Sequence, residues 1–320
     1  MKKSTKIWLI IAASLVLIGL IIFAGVMSMV KWDFKKLSTV KYETNNYEIT
    51  EEYRNISIVT DTADIVFVGG EKEKTEIVCH EQENIKHSVK VKDNTLVIEL
   101  VDTRKWYEHI GISWGSQSIT VYLPESEYAS LTIKEDTGRV EIPNDFKFED
   151  IDISTSTGNV TNCASASGNI KIKTSTGAIR VENISADTLD LTVSTGKISA
   201  SGVSCEKDVN IKVSTGKTEL SDITCQNLTS SGNTGSISLE NVIVSEKMSI
   251  ERSTGDVKLE RSDAADIFIV TDTGDVKGSL LSEKVFIAKT DTGKVDVPDS
   301  VTGGRCEITT DTGDIKITVI

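Results

Sequence analysis

Residues 170–179 read Ile-Lys-Ile-Lys-Thr-Ser-Thr-Gly-Ala-Ile, and this stretch decides the fold. Apolar and polar residues alternate before a Ser-Thr-Gly tripeptide, and another apolar residue stands two positions after the glycine. The tripeptide, with Ser, Asp or Asn in first place, occurs ten times. Successive glycines are 19 or 20 residues apart: Gly138, Gly158, Gly177, Gly196, Gly216, Gly235, Gly255, Gly274, Gly293 and Gly313. A fixed period of this length is typical of repeat architectures.

The residues around each glycine keep one pattern. Counted from the glycine as zero, position −7 is apolar in all ten repeats, and position −5 is apolar in every repeat except the one with Ser230. Position +2 is Ile or Val except at Thr218, and position +7 is often apolar. Alternation with a period of two predicts two short strands with one buried face in each repeat, and position +7 suggests a weaker third side.

One such repeat cannot bury its apolar face alone, whereas stacked repeats form a continuous core. The sequence therefore predicts an all-β fold, a β-solenoid or β-helix of 19–20-residue coils. Ten coils spaced by about 4.8 Å would form a rod of roughly 50 Å. Glycine supplies the positive φ of each turn, and Ser, Asp and Asn can all hydrogen-bond the turn backbone through a side-chain oxygen.

Asp-Thr-Gly is also the catalytic loop of aspartic proteases, in which two aspartates share a proton. Here Ser or Asn replaces Asp in six of the ten copies. We expect Asp272 and Asp291 to stack in register on the outside of the rod, without a cleft. The pattern therefore favours a structural turn and a protein that is not an enzyme.

The sequence before the regular repeats is less periodic. Residues 60–65 resemble a degenerate repeat in which Ala63 takes the place of the glycine, and Asp93-Asn94 is typical of a hairpin turn. Strands are predicted at Ile56–Val59, Ile65–Val68, Thr75–Cys79, His87–Lys92, Thr95–Leu100, Ser118–Leu123 and Leu131–Lys134. We divide the chain into a transmembrane anchor (1–30), a juxtamembrane linker (31–44), an irregular β portion or cap (45–134) and the solenoid repeats (135–320).

Residues 7–30 form an uncharged run of 24 residues. Since about 20 apolar residues cross a bilayer, this run predicts one transmembrane helix. A cleaved signal peptide is the alternative, but the run is longer than a usual signal core and no small-x-small site follows it. Lysines on both sides give the positive-inside rule only a weak preference for a cytoplasmic N-terminus. We expect a single-pass protein of the cell membrane whose C-terminal domain is extracytoplasmic.

Charge separates the anchor from the rest of the chain. Residues 1–36 contain six Lys and one Asp and carry +5, so residues 37–320 carry −18 of the total of −13. Nucleic acid is excluded as a partner, because its recognition requires a basic surface. The charge suits a well-solvated domain that attracts cationic partners, if any.

The five cysteines are too few and too scattered for a disulfide framework. Cys205 and Cys225 both lie nine residues after their glycine, so they should occupy neighbouring coils. The strand spacing of about 4.8 Å would allow a bridge between them. The alternative is that both are small apolar residues of the core.

No cofactor or metal is predicted. His80, His87 and His109 have no zinc-type spacing with the cysteines. An acidic edge is formed by Asp272, Asp275, Asp291, Asp311 and Asp314. Weak Ca²⁺ binding and simple solvation are both open for these carboxylates.

Aromatic residues concentrate in one stretch, within residues 102–117: Trp106, Tyr107, His109 and Trp114. These four residues are the candidate partner-binding site, and the alternative is that their rings plug the N-terminal end of the solenoid. A carbohydrate-active β-helix enzyme is the alternative function, but it would need clustered acid and base groups, often with aromatic sugar platforms. The repeats contain almost no aromatic residues.

The chain ends on the strand-like run Ile315–Ile320, with no polar cap after it. An uncapped solenoid end exposes an edge strand that can pair with another chain. We therefore expect this C-terminal edge strand to dock a partner or a second copy, which includes the possibility of a self-associating scaffold.

The N-terminal anchor, the entry strand Ile65–Val68 and the repeated Ser/Asp-Thr-Gly-x-Ile/Val units resemble the bacterial β-strand-repeat family of proposed adhesins, a domain of unknown function. The resemblance covers about residues 45–320. It implies an anchored extracytoplasmic rod and brings no catalytic residues with it. The expected function is an adhesin-like or envelope-associated interaction module, with an envelope protein or a glycan as partner.

Overall fold

The computed structural model of the chain describes residues 3–33, 40–69, 74–104 and 115–320. Within these ranges, one helix, α1 (Lys3–Met29), precedes 23 strands. The strands before the first regular turn are β1 (Tyr42–Ile49), β2 (Asn55–Thr62), β3 (Asp64–Gly69), β4 (Thr75–Gln82), β5 (Ile85–Lys92), β6 (Thr95–Asp102), β7 (Ser118–Leu123) and β8 (Glu127–Thr137). The central strands are β9 (Val140–Ile142), β10 (Lys147–Thr157), β11 (Val160–Asn162), β12 (Ser165–Ala166), β13 (Asn169–Ala186), β14 (Thr188–Cys205), β15 (Asp208–Thr215), β16 (Thr218–Thr234) and β17 (Ile237–Thr254). The last are β18 (Val257–Thr273), β19 (Val276–Leu280), β20 (Lys284–Thr292), β21 (Val295–Asp296), β22 (Gly304–Thr312) and β23 (Ile315–Val319).

The repeats form a solenoid of parallel, in-register coils, as predicted. On β13 and β14, Ile170 pairs with Leu189 and Gly177 pairs with Gly196, one repeat further along the chain. The apolar columns before and after the glycine face inward and are buried almost without exception. The third side also exists, because residues at position +7 such as Ile184 are buried.

Five consecutive coils have a second bend that was not predicted. It lies six residues after the glycine, where five consecutive coils place a left-handed residue: Asn183, Gly202, Asp222, Asn241 and Arg261, with φ between 48° and 63°. Asn, Asp and Gly tolerate this conformation better than other residues, so most of the column carried a readable signal. The column covers only five coils and ends on an arginine, so it is difficult to recognise in the sequence.

The N-terminal end is a cap that joins parallel and antiparallel strands. β2 lies between β8 and β6, and β3 lies between β9 and β7, so these two strands start the parallel stack. The other strands of the cap are antiparallel to their neighbours: β4 pairs with β1 and β7, and β5 pairs with β6. Asp93 and Asn94, with φ of 49° and 60°, form the predicted hairpin turn between β5 and β6. The division of domains at residue 134 stays a prediction, and β8 runs across it.

The order of the last coils corrects two predictions. β22 lies between β18 and β20, and β23 lies between β19 and β21, so the final coil is inserted below the one that precedes it in sequence. Asp272 is therefore the neighbour of Asp311 rather than of Asp291. The prediction that Ile315–Ile320 forms the exposed edge was wrong for Ile315 and Lys316, which pair with β21, whereas Ile317–Val319 pair only with β19 among the described residues.

Burial gives the physical reason for this order. The final coil offers Ile308, Ile315 and Ile317 to the core, and all three are buried, whereas the preceding coil offers the small Ala288, which is half-buried, and Val295, which is exposed. The coil with the larger inward-facing side chains at these positions thus lies between two others, and its strand β22 is paired on both sides. β20 and β21 form the end of the rod.

Helix α1 is long and apolar enough to cross a membrane over Thr5–Met29. This test rests on length and composition, and an N-terminal signal sequence passes it as well. The chain thus begins with an apolar helix that joins the N-terminal cap through residues outside the described ranges.

Candidate functional site

The Thr-Gly turns stack into a ladder. Glycine is required there for two reasons, its backbone conformation and the space that a Cβ would take. Gly177 and Gly216 both have φ of 142°, a region that residues with a side chain rarely adopt. A Cβ on Gly216 would also overlap the carbonyl oxygen of Gly196 in the neighbouring coil. The tripeptide is therefore a packing and turn element of the rod.

An inner column three residues before the glycines supports this ladder, and in five of the ten repeats it carries a threonine hydroxyl: Thr155, Thr174, Thr271, Thr290 and Thr310. The Thr174 hydroxyl donates to the Gly158 carbonyl (3.3 Å), and the Thr310 hydroxyl donates to the Gly274 carbonyl (3.1 Å). Glu135 occupies the same position in the first regular coil. Burial first, and then the nearby Asp64 and Asp136, raise the pKa of this carboxyl to about 7.

Arg252 interrupts the same column and explains both exceptions in the apolar pattern. Its guanidinium donates to the Ser230 hydroxyl (2.8 Å) and, at 3.5 Å, to the Thr218 hydroxyl. Gly232 leaves room for it, because a Cβ there would lie 3.2 Å from Nη1. Burial lowers the pKa of Arg252 to about 10. The two polar residues that looked like defects in the sequence are hydrogen-bond acceptors for a buried cation.

The acidic residues after the distal glycines cap backbone groups. Asp275 N–H donates to the Asp256 carboxylate (2.9 Å), Asp314 N–H to Asp275 (2.8 Å) and Lys294 N–H to Asp314 (2.9 Å). This chain of contacts follows the corrected order of the coils. These carboxylates are thus engaged in holding the turns, and their arrangement favours solvated turn residues over a calcium site.

The cysteines are not bridged in the structure. Cys205 and Cys225 are buried thiols, and so are Cys79 and Cys306, while Cys163 is half-buried. Cys205 and Cys225 fill the core at its third side, which agrees with their interpretation as small apolar residues.

The end of the rod at β20 is the candidate interaction site. β20 pairs with β22 on one side, and in the part of the chain that the structure describes no strand pairs with its other side. Val285 and Ile287 point outward and are 38% and 48% exposed. The lysines of the strand protect it weakly, since Lys284 is buried against Asp263 (2.8 Å) and Lys289 pairs with Asp291 (3.2 Å).

A sequence profile described as Toastrack DUF4097 matches residues 53–212 and 204–320. The chain belongs to this family. The two matches together span most of the chain and cover both the cap and the repeats, which agrees with the family resemblance carried by the repeat units. No curated protein matches the chain.

Several solved structures resemble this Toastrack chain at low sequence identity. A "putative lipid binding protein" from Parabacteroides distasonis is 14% identical, with 88% of this chain and 98% of that chain covered and a TM-score of 0.48. A "putative adhesin" from Bacteroides fragilis is 17% identical, with 87% and 97% covered and a TM-score of 0.35. A "putative cell adhesion protein" from Clostridium sporogenes is 13% identical, with 88% and 100% covered and a TM-score of 0.26.

The aromatic residues proposed from sequence, Trp106, Tyr107, His109 and Trp114, lie outside the described residues. They belong to the connection between β6 and β7 of the Toastrack cap.

A cleft of about 470 Å³ lies elsewhere on the cap, beside Tyr53, Arg54 and Tyr128. The Tyr53 and Tyr128 rings stack with centroids 6.0 Å apart, but Tyr128 is only 3% exposed and offers no open platform to a sugar.

Proposed function

We propose that the protein is a membrane-anchored, non-enzymatic rod outside the cell that adheres by strand pairing at its distal edge, β20. The observation that carries this proposal is the unpaired outer edge of β20, where Val285 and Ile287 are exposed. Exposed apolar edge strands are the usual templates for pairing with another chain.

The position of the edge supports a role in contacts away from the membrane. The anchor helix precedes β1, which belongs to the cap, while β20 lies at the opposite end of the stack. About ten coils at roughly 4.8 Å each separate the two ends by about 50 Å. Strands in a solenoid add along the rod axis, so a strand that pairs with β20 lengthens the rod end to end.

A second copy of the same chain is the occupant that fits this edge best. An antiparallel two-fold pairing centred on Ile287 would place Phe286 of each copy opposite Ala288 of the other, a large residue against a small one. Both residues are half-buried at the open end and would gain cover. Because pairing is end to end, the two copies would come from facing membranes.

Charge opposes this contact, because residues 37–320 carry −18. The screening length is about 8 Å at physiological ionic strength, so salt should weaken the repulsion between the rods. Adhesion between copies is therefore expected to increase with salt, the opposite of a contact made by ion pairs.

The test uses the full chain reconstituted in two vesicle populations with different fluorescent labels. Wild-type vesicles should cluster with each other, and Ile287→Lys should abolish clustering by placing a charge at the pairing edge. Val270→Lys is the matched control, because Val270 is equally exposed (46%) but lies on β18, whose edges are paired. Clustering that survives Ile287→Lys, or that never occurs, would overturn the proposal.

The residues Trp106, Tyr107, His109 and Trp114 remain a second proposed contact, with an envelope protein or glycan as partner. The support is their concentration in one connection of a chain with few aromatic residues. Replacing Trp106 and Trp114 by Ala should reduce binding of the full chain to isolated cell envelopes and leave vesicle clustering intact. Unchanged envelope binding would remove this stretch as a contact.

A further inference from the structure

Three side chains of metal-binding type meet inside the N-terminal cap. Cys79 and Glu81 lie on β4, and His87 lies on β5. One sulfur, one carboxylate oxygen and one ring nitrogen from these residues all lie within 4.8 Å of one another. All three residues are buried, with exposures of 0%, 0% and 3%.

The fold places this cluster by bringing together two strands that are joined by a tight hairpin. Cys79 and Glu81 are two residues apart on one strand, so their side chains point to the same face. β5 returns antiparallel, with Gln82 opposite Ile85, and brings His87 to that face. The spacing of these residues along the chain has no zinc-type signature, because the ligands come from two strands rather than from one loop.

Surrounding groups orient the carboxylate and the imidazole. Glu81 Oε1 accepts from the Asn45 amide (2.7 Å), and Glu81 Oε2 accepts from the His87 backbone N–H (2.6 Å). His87 Nδ1 lies 2.7 Å from Glu81 Oε2, and Nε2 lies 2.9 Å from the Thr60 hydroxyl. In the metal-free protein the Nδ1–H group donates to the Glu81 carboxylate, and Nε2 accepts from the Thr60 hydroxyl. If a metal takes the place of the proton at Nδ1, the ring carries its proton at Nε2 instead and donates to Thr60. Such outer hydrogen bonds fix the tautomer of metal-binding histidines.

We propose that Cys79, Glu81 and His87 bind one divalent transition-metal ion of the zinc class. Zinc accepts sulfur, nitrogen and oxygen ligands together, and three protein ligands leave a fourth position for a solvent molecule. Separations of at most 4.8 Å between the three ligand atoms are short enough for small side-chain movements to bring these atoms to bonds of about 2.0–2.3 Å with one ion.

Charge balance is consistent with this assignment. A thiolate, a carboxylate and a divalent cation sum to zero, so the occupied site would add no net charge to the buried cap. On binding, the S–H bond of Cys79 breaks, the sulfur bonds the metal and the proton leaves to solvent.

The site would tie the outer hairpin of the cap to the parallel stack. Asn45 lies on β1, Thr60 on β2 and the ligands on β4 and β5, so one ion would link four strands of the cap directly or through hydrogen bonds. This role is independent of adhesion at β20, which lies at the other end of the rod.

The test is metal analysis of the full chain purified in detergent, followed by refolding of chelated protein with Co²⁺. We expect one metal ion per chain and a near-ultraviolet thiolate-to-cobalt charge-transfer band. Cys79→Ser should remove the band, and His87→Ala should weaken metal binding by at least tenfold. Cys306→Ser is the matched control, because Cys306 is equally buried (0% exposed) but lies on β22.

Two outcomes would overturn the metal site. Wild-type protein that shows no bound metal and no thiolate–cobalt band would leave Glu81 and His87 as an ion pair only. A band that persists in Cys79→Ser would place the thiolate elsewhere. If a variant fails to fold by circular dichroism, the metal content and the cobalt spectrum of the wild type still decide.

Discussion

The two ends of the rod differ in the arrangement of their outermost strands. At the N-terminal end the outer strands β1 and β5 are antiparallel to their neighbours, and the Tyr47 hydroxyl on β1 donates to the His87 carbonyl on β5 (3.1 Å). At the distal end β20 continues the parallel stack and then stops, with Val285 and Ile287 exposed. A solenoid exposes an edge wherever it ends, and among the described residues β1 pairs only with β4 and β5 pairs along its length only with β6. The two ends therefore differ in strand direction and in the side chains at the edge.

The side chains follow the same asymmetry. The outer strands of the cap carry charged residues that pair across strands, as in Lys86–Glu43 (2.6 Å) and Lys90–Glu99 (3.3 Å). Charged edge strands resist pairing with other chains. On β20 both lysines are engaged with aspartates of their own surroundings, so the apolar residues are left as the main feature of the edge.

The sharpest test of the distal end concerns its coil order and has an all-or-none result. Asp272→Cys with Asp311→Cys should form a disulfide, because the flanking threonines pair in register and adjacent strands are about 4.8 Å apart. Asp272→Cys with Asp291→Cys should not, since an intervening strand doubles that distance. Crosslinking is read by mass spectrometry after mild oxidation. The reverse pattern would restore sequential stacking and remove β20 from the edge.

The sequence was sufficient to predict the repeated coil, but it was not sufficient to predict the order of the strands at the ends of the rod. The ten glycines and their apolar columns fixed the coils, because each column is a local pattern repeated many times. The insertion of β22 between β18 and β20 could not be read, since every coil carries a similar turn and stacking order depends on comparing the burial of whole coils. Arg252 was missed for a related reason, because its acceptors Ser230 and Thr218 lie in other coils.

The second prediction compares a core residue of the cap with an exposed residue of the distal edge. Ile98→Ala in the cap strand β6 removes a side chain that is fully buried and should cost about 2–5 kcal/mol of unfolding free energy. Ile287→Ala at the distal end should stay within about 0.5 kcal/mol. Urea denaturation of the full chain in detergent measures both. Equal losses would mean that β20 is covered in solution by something other than solvent.

The third prediction concerns pH at the junction of cap and rod. The folded state raises the pKa of Glu135 to about 7 from its ordinary 4.5, so the folded protein binds this proton more tightly than the unfolded chain does. The resulting stability is present below about pH 4.5 and is lost as the pH rises through 7. Its size is on the order of 3 kcal/mol.

Two variants isolate the contribution of Glu135 from that of other titrating groups. Glu135→Gln should remove this part of the pH dependence and stabilise the protein at pH 8, whereas Glu127→Gln, an exposed position on the same strand, should leave it in place. The readout is the urea midpoint between pH 4 and pH 8. A wild-type profile that Glu135→Gln does not flatten would assign the dependence to another group.

The smallest expected effect is the difference in unfolding free energy between two Gly→Ala variants, one in the turn of an internal coil and one in the same turn of the outermost coil. Gly216→Ala must place a Cβ against the Gly196 carbonyl at a φ of 142°, between coils that are held on both sides, and should cost about 1–3 kcal/mol. Gly293→Ala meets the Gly313 carbonyl in the same way, but its coil is the last of the stack and can move outward. We therefore expect it to cost about 1 kcal/mol less, because strain at a free edge relaxes. Urea unfolding of the two variants gives the difference, and equal costs would indicate that the distal coil is held as firmly as an internal one, as it would be if a second copy already covered it.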